Sequence, residues 1–337
     1  MEIGRYLPGG FNMPLMINRN EVQSLLQMGE CIDAHERAFN EMAAGTAALP
    51  LRTPIKPPDG LSLYMPAYLQ EMNALACKVV TVYKNNPADH GLPVVIGTVL
   101  LQDASTGQVI CIMDGGYLTA VRTGAVSGLA TRYLAREDEG QVVTIYGAGV
   151  QARMQLWAVC EVRDVSRAMI CDVVPEAAYS FANEMSDSLG IPVEVQNQEE
   201  ALLEADIICA ATSSPDPILD GSKVKDGTHI NGIGSHSPGA REMDGEIVRR
   251  SLLIADSYEA CLNEAGDIMI PISEGVIDEG HIHAELAEIV AGQKEGRTSP
   301  EQITLFKSNG LAIQDAATAK LVFERAKEQG IGTEIDL

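Results

Sequence analysis

Residues 141–172 constrain this chain more than any other stretch. An apolar, β-rich run at 142–146 breaks into Gly147-Ala-Gly149-Val150-Gln151-Ala152, passes into a helical pattern over 150–160, and is followed by a second apolar run at 168–171 that ends on Asp172. A strand, glycine turn, helix and strand in that order put backbone N–H groups and a helix N-terminus where a pyrophosphate can sit. The acid that closes the second strand then accepts hydrogen bonds from a ribose. Gly147 allows the tight turn and Gly149 lets the backbone approach the phosphates, while Ala152 replaces the usual third glycine and is still small enough for close helix–strand packing. A carboxylate at Asp172 repels the additional phosphate of NADP, so the expected cofactor is NAD. Arg167 is read as lying just before the second strand, which leaves one cation nearby.

Beyond Asp172 the pattern alternates: helix at 175–189, strand at 193–195, helix at 199–205, strands at 207–211 and 229–233, helix at 244–250 and strand at 252–255. Such alternation implies an α/β fold with a Rossmann-type doubly wound parallel sheet over residues 126–305. The earlier chain has a different texture. Apolar positions at helical spacing over 21–44 are followed by a proline-extended segment at 49–55, then by β-runs at 61–65, 75–83, 94–102 and 109–113. These form an antiparallel or mixed sheet in a second, α+β domain, joined to the first by a long helix of small residues at 118–135. A last helix at 311–329 is expected to return to this domain, giving a division into 1–125 together with 306–337, and 126–305.

Composition narrows the function classes. Asp+Glu 47 against Lys+Arg 24 gives a net charge of −23, a field that opposes nucleic acid and anionic membranes. Each cation in an apolar or glycine-rich setting therefore stands out as a potential ligand for an anionic small molecule. No apolar run approaches the roughly 20 residues of a spanning helix, and residues 1–10 have no secretory pattern, so a cytoplasmic protein is expected. The seven cysteines are scattered without a Cys-x-x-Cys pair and read as reduced, buried thiols. His281 and His283 alternate as a chelating pair would, but no third ligand is near, so no metal site is expected.

Four side chains stand out as chemistry-bearing. Arg52 lies between Leu51 and Thr53 in a segment too apolar to need a charge, and a guanidinium can grip a carboxylate through two parallel hydrogen bonds. Lys78 shares a strand face with Ala76, Val80 and Val82; if that face is inward, desolvation lowers its pKa and suits it to proton transfer. Arg122, among small residues upstream of the glycine turn, is placed to meet a phosphate. His236, in Asn231-Gly232-Ile233-Gly234-Ser-His236, follows a strand ending at the ligand-binding edge of the sheet.

From about residue 49 to 319 the chain resembles the ornithine cyclodeaminase/μ-crystallin family, which includes archaeal-type alanine dehydrogenases and ketimine or pyrroline-carboxylate reductases. The resemblance rests on Met65-Pro-Ala67, the run from Lys78 to Pro87, Leu118-Thr-Ala-Val-Arg122-Thr-Gly-Ala125, the glycine turn, Ile233-Gly-Ser-His-Ser-Pro238 with Arg241-Glu-Met-Asp244, and Phe306-Lys-Ser-Asn-Gly310 with Asp315. It implies a Rossmann domain for NAD and a substrate-binding, dimerising domain made of the N-terminal part and the last helix. By position it implies Arg52 as the substrate-carboxylate arginine, Lys78 as a substrate contact able to transfer protons, and Asn309 as a further substrate contact. For the cofactor it implies Arg122, Gly147, Gly149, Val150, Gln151, Asp172 and Thr212, with Asn231, Gly232, Ile233 and Gly234 facing the nicotinamide and Ser308 in the Lys-Ser-Asn-Gly turn.

Two departures bear on the substrate. Where the cyclodeaminases carry an aspartate this chain has His236, and near Leu63 their assisting acid is missing. The leading expectation is therefore an NAD-dependent oxidoreductase of an amino acid/imino acid pair, with Lys78 and His236 handling protons on a small-molecule substrate. An ornithine or lysine cyclodeaminase, using NAD without net redox change, is the alternative. A μ-crystallin-like nucleotide-binding protein without turnover is the third reading.

Overall fold

The computed structural model describes residues 13–336; the N-terminal segment read above for a secretory pattern lies outside them. The first part of the chain runs β1 (Leu15–Ile17), α1 (Arg19–Leu25), α2 (Met28–Ala44), β2 (Ala47–Ala48), β3 (Thr53–Ile55), β4 (Leu61–Leu69) and β5 (Ala74–Val82). It continues through α3 (Asn86–His90), β6 (Val95–Gln102), β7 (Val109–Asp114) and α4 (Gly115–Leu134). The nucleotide unit is β8 (Gln141–Tyr146), α5 (Val150–Val162) and β9 (Val165–Cys171). It is followed by α6 (Pro175–Leu189), β10 (Val193–Val195), α7 (Gln198–Glu204), β11 (Ile207–Ala210) and β12 (His229–Gly232). Then come α8 (Gly245–Arg250), β13 (Leu252–Ala255), α9 (Tyr258–Glu264), α10 (Gly266–Ser273), β14 (Ile282–Glu285) and α11 (Leu286–Val290). The chain ends with β15 (Thr304–Lys307), α12 (Ala312–Gln329) and β16 (Thr333–Glu334).

Two sheets result. The later one has the order β10-β9-β8-β11-β12-β15-β13-β14 with every neighbouring pair parallel, the doubly wound architecture expected from the alternation. The strand order reverses beside β8, so the carboxyl ends of β8 and β11 open the crevice where such folds take their ligands. The earlier sheet, β16-β1-β7-β6-β5-β4-β2 with β3 on β4, is mixed: β1 runs parallel to β7 and the rest are antiparallel. On β5 strict alternation turns Ala76, Lys78 and Val80 inward. The last helix packs on this inner face against β5 and β4 and against α2, the return expected above, and its first two turns, 312–319, are buried all round.

Helix α4 crosses position 125/126 unbroken, and β15 carries Phe306 and Lys307 into the parallel sheet. This helix joins the two sheets by packing against α2 on one side and α5 on the other. Gly124 sits where α4 meets α5; a Cβ there would lie 2.5 Å from the Met154 carbonyl oxygen, so only glycine permits this approach. Strands β14 and β15 were not read from the sequence: each has only two apolar residues, with His283 and Glu285 interleaved in the first and Thr304 and Lys307 at the ends of the second, so neither shows the unbroken apolar run that marks a buried parallel strand.

Candidate active site

A cleft of about 940 Å³ lies between the two sheets, at the carboxyl ends of the parallel strands. Its nucleotide half is built by the turn after β8. Gly147 has φ +93°, a left-handed conformation, and a Cβ there would press on the Ala211 carbonyl at 2.7 Å. Gly149 caps α5 without a side chain, and the space a Cβ would enter there is open to 4 Å. The first N–H groups of α5 thus face a concavity of the polarity that a pyrophosphate requires. Asp172 lines the same wall; its Oδ2 accepts from Ala148 N at 2.7 Å and its Oδ1 from Val174 N at 2.8 Å. These bonds fix the carboxylate beside the turn, and each oxygen retains a lone pair for a ribose hydroxyl. Gln151 and Thr212 also line this half, whereas Val150, 57% exposed, points to the surface and is not among the cleft-lining residues.

Arg167 lies within β9, where its guanidinium pairs with Glu204 and, at 3.8 Å, with Glu194. It is thereby committed away from any phosphate on the ribose, and the residues after Asp172 are Val173 and Val174. The residues present fit NAD.

The opposite half is built by β4, β5, α4 and α12. Lys78, 1% exposed, donates to Asp315 Oδ1 at 2.7 Å, and Arg122 Nε lies 3.1 Å from the same oxygen. Arg122 also donates to Gln314 Oε1 at 2.7 Å. Burial pushes the Lys78 ammonium down to about 8, Arg122 adds to that shift, and Asp315 opposes it. Leu63, Met65 and Val80 form an apolar wall around the cluster. Arg52 reaches the cleft from the extended segment before β3. Its Nε donates to Glu264 Oε1 at 3.0 Å, its Nη2 to Glu264 Oε2, and its Nη1 to the Asn309 carbonyl at 3.5 Å. His236 is exposed at the cleft rim with Nδ1 2.9 Å from the Gly234 oxygen.

Ile233, Gly234, Ser308 and Asn309 line the cleft as the resemblance implied. Asn231 and Gly232 do not. Both are buried inside β12; the Asn231 amide donates to Thr131 Oγ1 on α4 at 3.0 Å, and the Gly232 carbonyl accepts from Lys307 Nζ at 3.2 Å. The strand ends at Gly232, and only the residues beyond that end, Ile233 and Gly234, reach the cleft, so Asn231 and Gly232 support the site from behind.

Several buried charges that shape the site escaped the sequence reading. Glu242 accepts from Thr212 N (2.6 Å), Gly234 N (2.7 Å) and Ser235 N (3.2 Å), tying together the loops after β11 and β12. Asp267 accepts from Glu242 N at 2.7 Å and pairs with fully buried Lys307 at 3.0 Å. Asp256 Oδ2 accepts from Ser308 Oγ, Asn309 N and Gly310 N at 2.7–2.9 Å, holding the turn that faces the substrate half. Burial raises the pKa of both Glu242 and Asp256, and the hydrogen bonds they accept oppose it. The available signal was an acid directly after a four-residue apolar run, as at Asp256 after β13, which repeats the pattern of Asp172 after β9. The two histidines after residue 280 bond backbone carbonyls, His281 to Val248 and His283 to Glu295, and no metal-binding group of three or more ligands occurs among the described residues. All seven cysteines are unpaired.

A glycine-turn Rossmann sheet facing a second domain across a cleft with an inward lysine defines a dinucleotide-dependent enzyme of two-domain design. The profile of the ornithine cyclodeaminase/mu-crystallin family matches residues 12–330, and the chain belongs to that family. A Δ(1)-pyrroline-2-carboxylate reductase of Bacillus cereus is 39% identical over 326 residues, 96% of this chain and 99% of the relative. The solved structure of the Thermococcus litoralis Δ(1)-pyrroline-2-carboxylate reductase with NADH and L-proline is 51% identical, with a TM-score of 0.92 over 95% of this chain and 100% of that one. An archaeal alanine dehydrogenase dimer with bound NAD is 37% identical, with a TM-score of 0.91 over 96% and 99%.

Proposed function

We propose that this chain reduces a small cyclic imino acid of the Δ1-pyrroline-2-carboxylate type to the corresponding cyclic amino acid. It is an NAD-dependent oxidoreductase acting on an amino acid/imino acid pair. The observation that carries the substrate is the cluster of Lys78, Arg122 and Asp315. Two buried cations share one carboxylate oxygen, so this wall carries one excess positive charge, and it is rimmed by Leu63, Met65 and Val80. A compact anion with an apolar ring satisfies both features. A second ammonium, as ornithine has, meets Leu63 and His236 where the cyclodeaminases present acids.

The reaction balances as imine plus NADH plus a proton giving amine plus NAD+. NADH, when bound, would supply the hydride to the imine carbon. In this reading Gly147, Gly149, Gln151, Asp172 and Thr212 hold the nucleotide, and Ile233, Gly234 and Ser308 border the nicotinamide. Arg52 receives the substrate carboxylate. Lys78, charged below about pH 8, keeps a proton directed at the substrate nitrogen, and Asp315 keeps the lysine in place. His236 exchanges protons with solvent at the rim.

The test is NADH consumption with Δ1-pyrroline-2-carboxylate, with pyruvate plus ammonia, and with L-ornithine. The cyclic imine is expected to give the highest kcat/KM. Faster reaction with pyruvate and ammonia would make the chain an alanine dehydrogenase instead, and ammonia release from ornithine without net NADH change would make it a cyclodeaminase.

The same reading assigns substrate binding and dimerisation to 1–125 with 306–337, and NAD binding to 126–305, except that Phe306 and Lys307, being part of β15, go with the NAD-binding sheet. The working unit is a homodimer joined through the outer face of the mixed sheet. A reducing compartment, the cytoplasm, suits seven unpaired thiols. No helix among the described residues is long and apolar enough to cross a membrane.

A further inference from the structure

We infer that Glu264 is a positioning residue for substrate binding: it holds Arg52 by one edge of the guanidinium so that the other edge is presented to a carboxylate in the cleft. The inference rests on the assignment of Arg52 to the substrate carboxylate made above.

A guanidinium has two edges able to bind a carboxylate bidentately, Nε with one Nη, and the two Nη together. Glu264 occupies the first, with Oε1 3.0 Å from Nε and Oε2 on Nη2. Nη1 is left with a long contact, 3.5 Å, to the Asn309 carbonyl on the turn that borders the substrate half. Arg52 lines both the main cleft and a smaller side cavity of about 200 Å³, while Glu264 lines only the side cavity. The glutamate therefore holds the arginine from behind, on the side away from the reacting end.

The backbone around Arg52 gives little support of its own. It lies between strands of two and three residues, Ala47–Ala48 and Thr53–Ile55, on a segment whose neighbours Leu51 and Thr53 are exposed. A long side chain on such a segment loses much rotamer freedom when it grips a ligand, unless another group has already ordered it. Glu264 stands at the end of α9, next to the parallel sheet, so the pair also ties the arginine of one domain to the framework of the other. With the side-on edge filled, an incoming carboxylate is confined to the end-on edge, which fixes its orientation.

The experiment uses the whole enzyme saturated with NADH or NAD+. Glu264→Ala is expected to raise KM for Δ1-pyrroline-2-carboxylate at least tenfold with kcat within about twofold of wild type, and Glu264→Gln, which keeps one acceptor, to fall between them. The affinity of pyrrole-2-carboxylate for the NAD+ complex, measured by calorimetry, should weaken in parallel. Reduction of 1-pyrroline, which has no carboxylate, should be unaffected. An unchanged or lowered KM in Glu264→Ala overturns the inference, the lowered value showing that Glu264 competes with substrate. Loss of kcat, or equal damage to 1-pyrroline reduction, overturns it as well by showing a general structural defect. If wild type binds pyrrole-2-carboxylate but does not turn over the cyclic imine, the functional reading fails, and the binding series still decides the role of Glu264. Absence of binding by wild type removes both.

Discussion

At the scale of single residues, the site depends on charges placed where water cannot screen them. Lys78 is the clearest case, since its neighbours on β5 expose the opposite face and leave its ammonium with Asp315 as counter-ion. Its pKa of about 8 makes a directional claim about pH. The lysine is charged below that value and neutral above it, so kcat/KM for imine reduction should fall as pH rises through about 8, while oxidation of the amine should gain over the same interval. Asp315 raises the lysine's pKa against burial and Arg122, so Asp315→Asn should move the inflection to lower pH as well as slowing turnover. Profiles of kcat/KM in both directions check this, and an inflection that stays put in Asp315→Asn would detach Lys78 from the titration. Lys78 could be singled out from the alternation of β5 alone. Its partner could not, because Asp315 lies 237 residues away and the pairing is made only by the return of α12.

At the scale of elements, the glycine turn was legible because strand, turn, helix and acid follow one another within about thirty residues, and local order is what sequence periodicity reports. The clamps beneath the loops were not. Glu242 joins Thr212 to Gly234, and Asp256 fastens 308–310, across separations that no local pattern encodes. Asn231 and Gly232 illustrate the converse: their neighbours reach the cleft, but a strand end is set by pairing with β11 and β15, which the run of residues does not display. Helix α4 shows how an element distant from the ligand sets the turn. Its Gly124 lets α5 approach, and α5 begins at the phosphate turn. Gly124→Ala puts a methyl 2.5 Å from a backbone oxygen, so α5 must move. A loss of about 1–3 kcal/mol in stability is expected, as for overpacking generally. Denaturant unfolding would measure it, and NADH titration should show weaker binding in the same variant. Unchanged NADH affinity would mean that α5 yields elsewhere than at its N-terminus.

At the scale of the whole molecule, among the described residues the mixed sheet is covered by helices on one face only. Helices α4 and α12 pack on the inner side, where Val99, Leu101, Cys111 and Met113 are buried. The outer side presents Met16, Tyr64 and Ile96, each 38–44% exposed, with Val79, Leu100 and Ile112 half-buried between them. An apolar sheet face of this kind on a chain of net charge −23 is out of keeping with the rest of the surface, and a second copy of the same face would cover it symmetrically. Leu100 and Ile112 are register partners near its middle, so a charge at Leu100 tests the idea without entering the core. In an isolated chain Leu100→Asp would point to solvent and cost little. In a face-to-face dimer the carboxylate would be buried without a counter-charge, a penalty on the order of 3–5 kcal/mol, counted once for each subunit. Sedimentation velocity at micromolar concentration should therefore show a dimer for wild type and a monomer for Leu100→Asp, with the far-ultraviolet circular dichroism unchanged. Val82 and Val95 pair at the end of this sheet and line the cleft, so the monomer should also lose part of its affinity for substrate. A Leu100→Asp protein that remains dimeric would place the subunit contact elsewhere on the molecule.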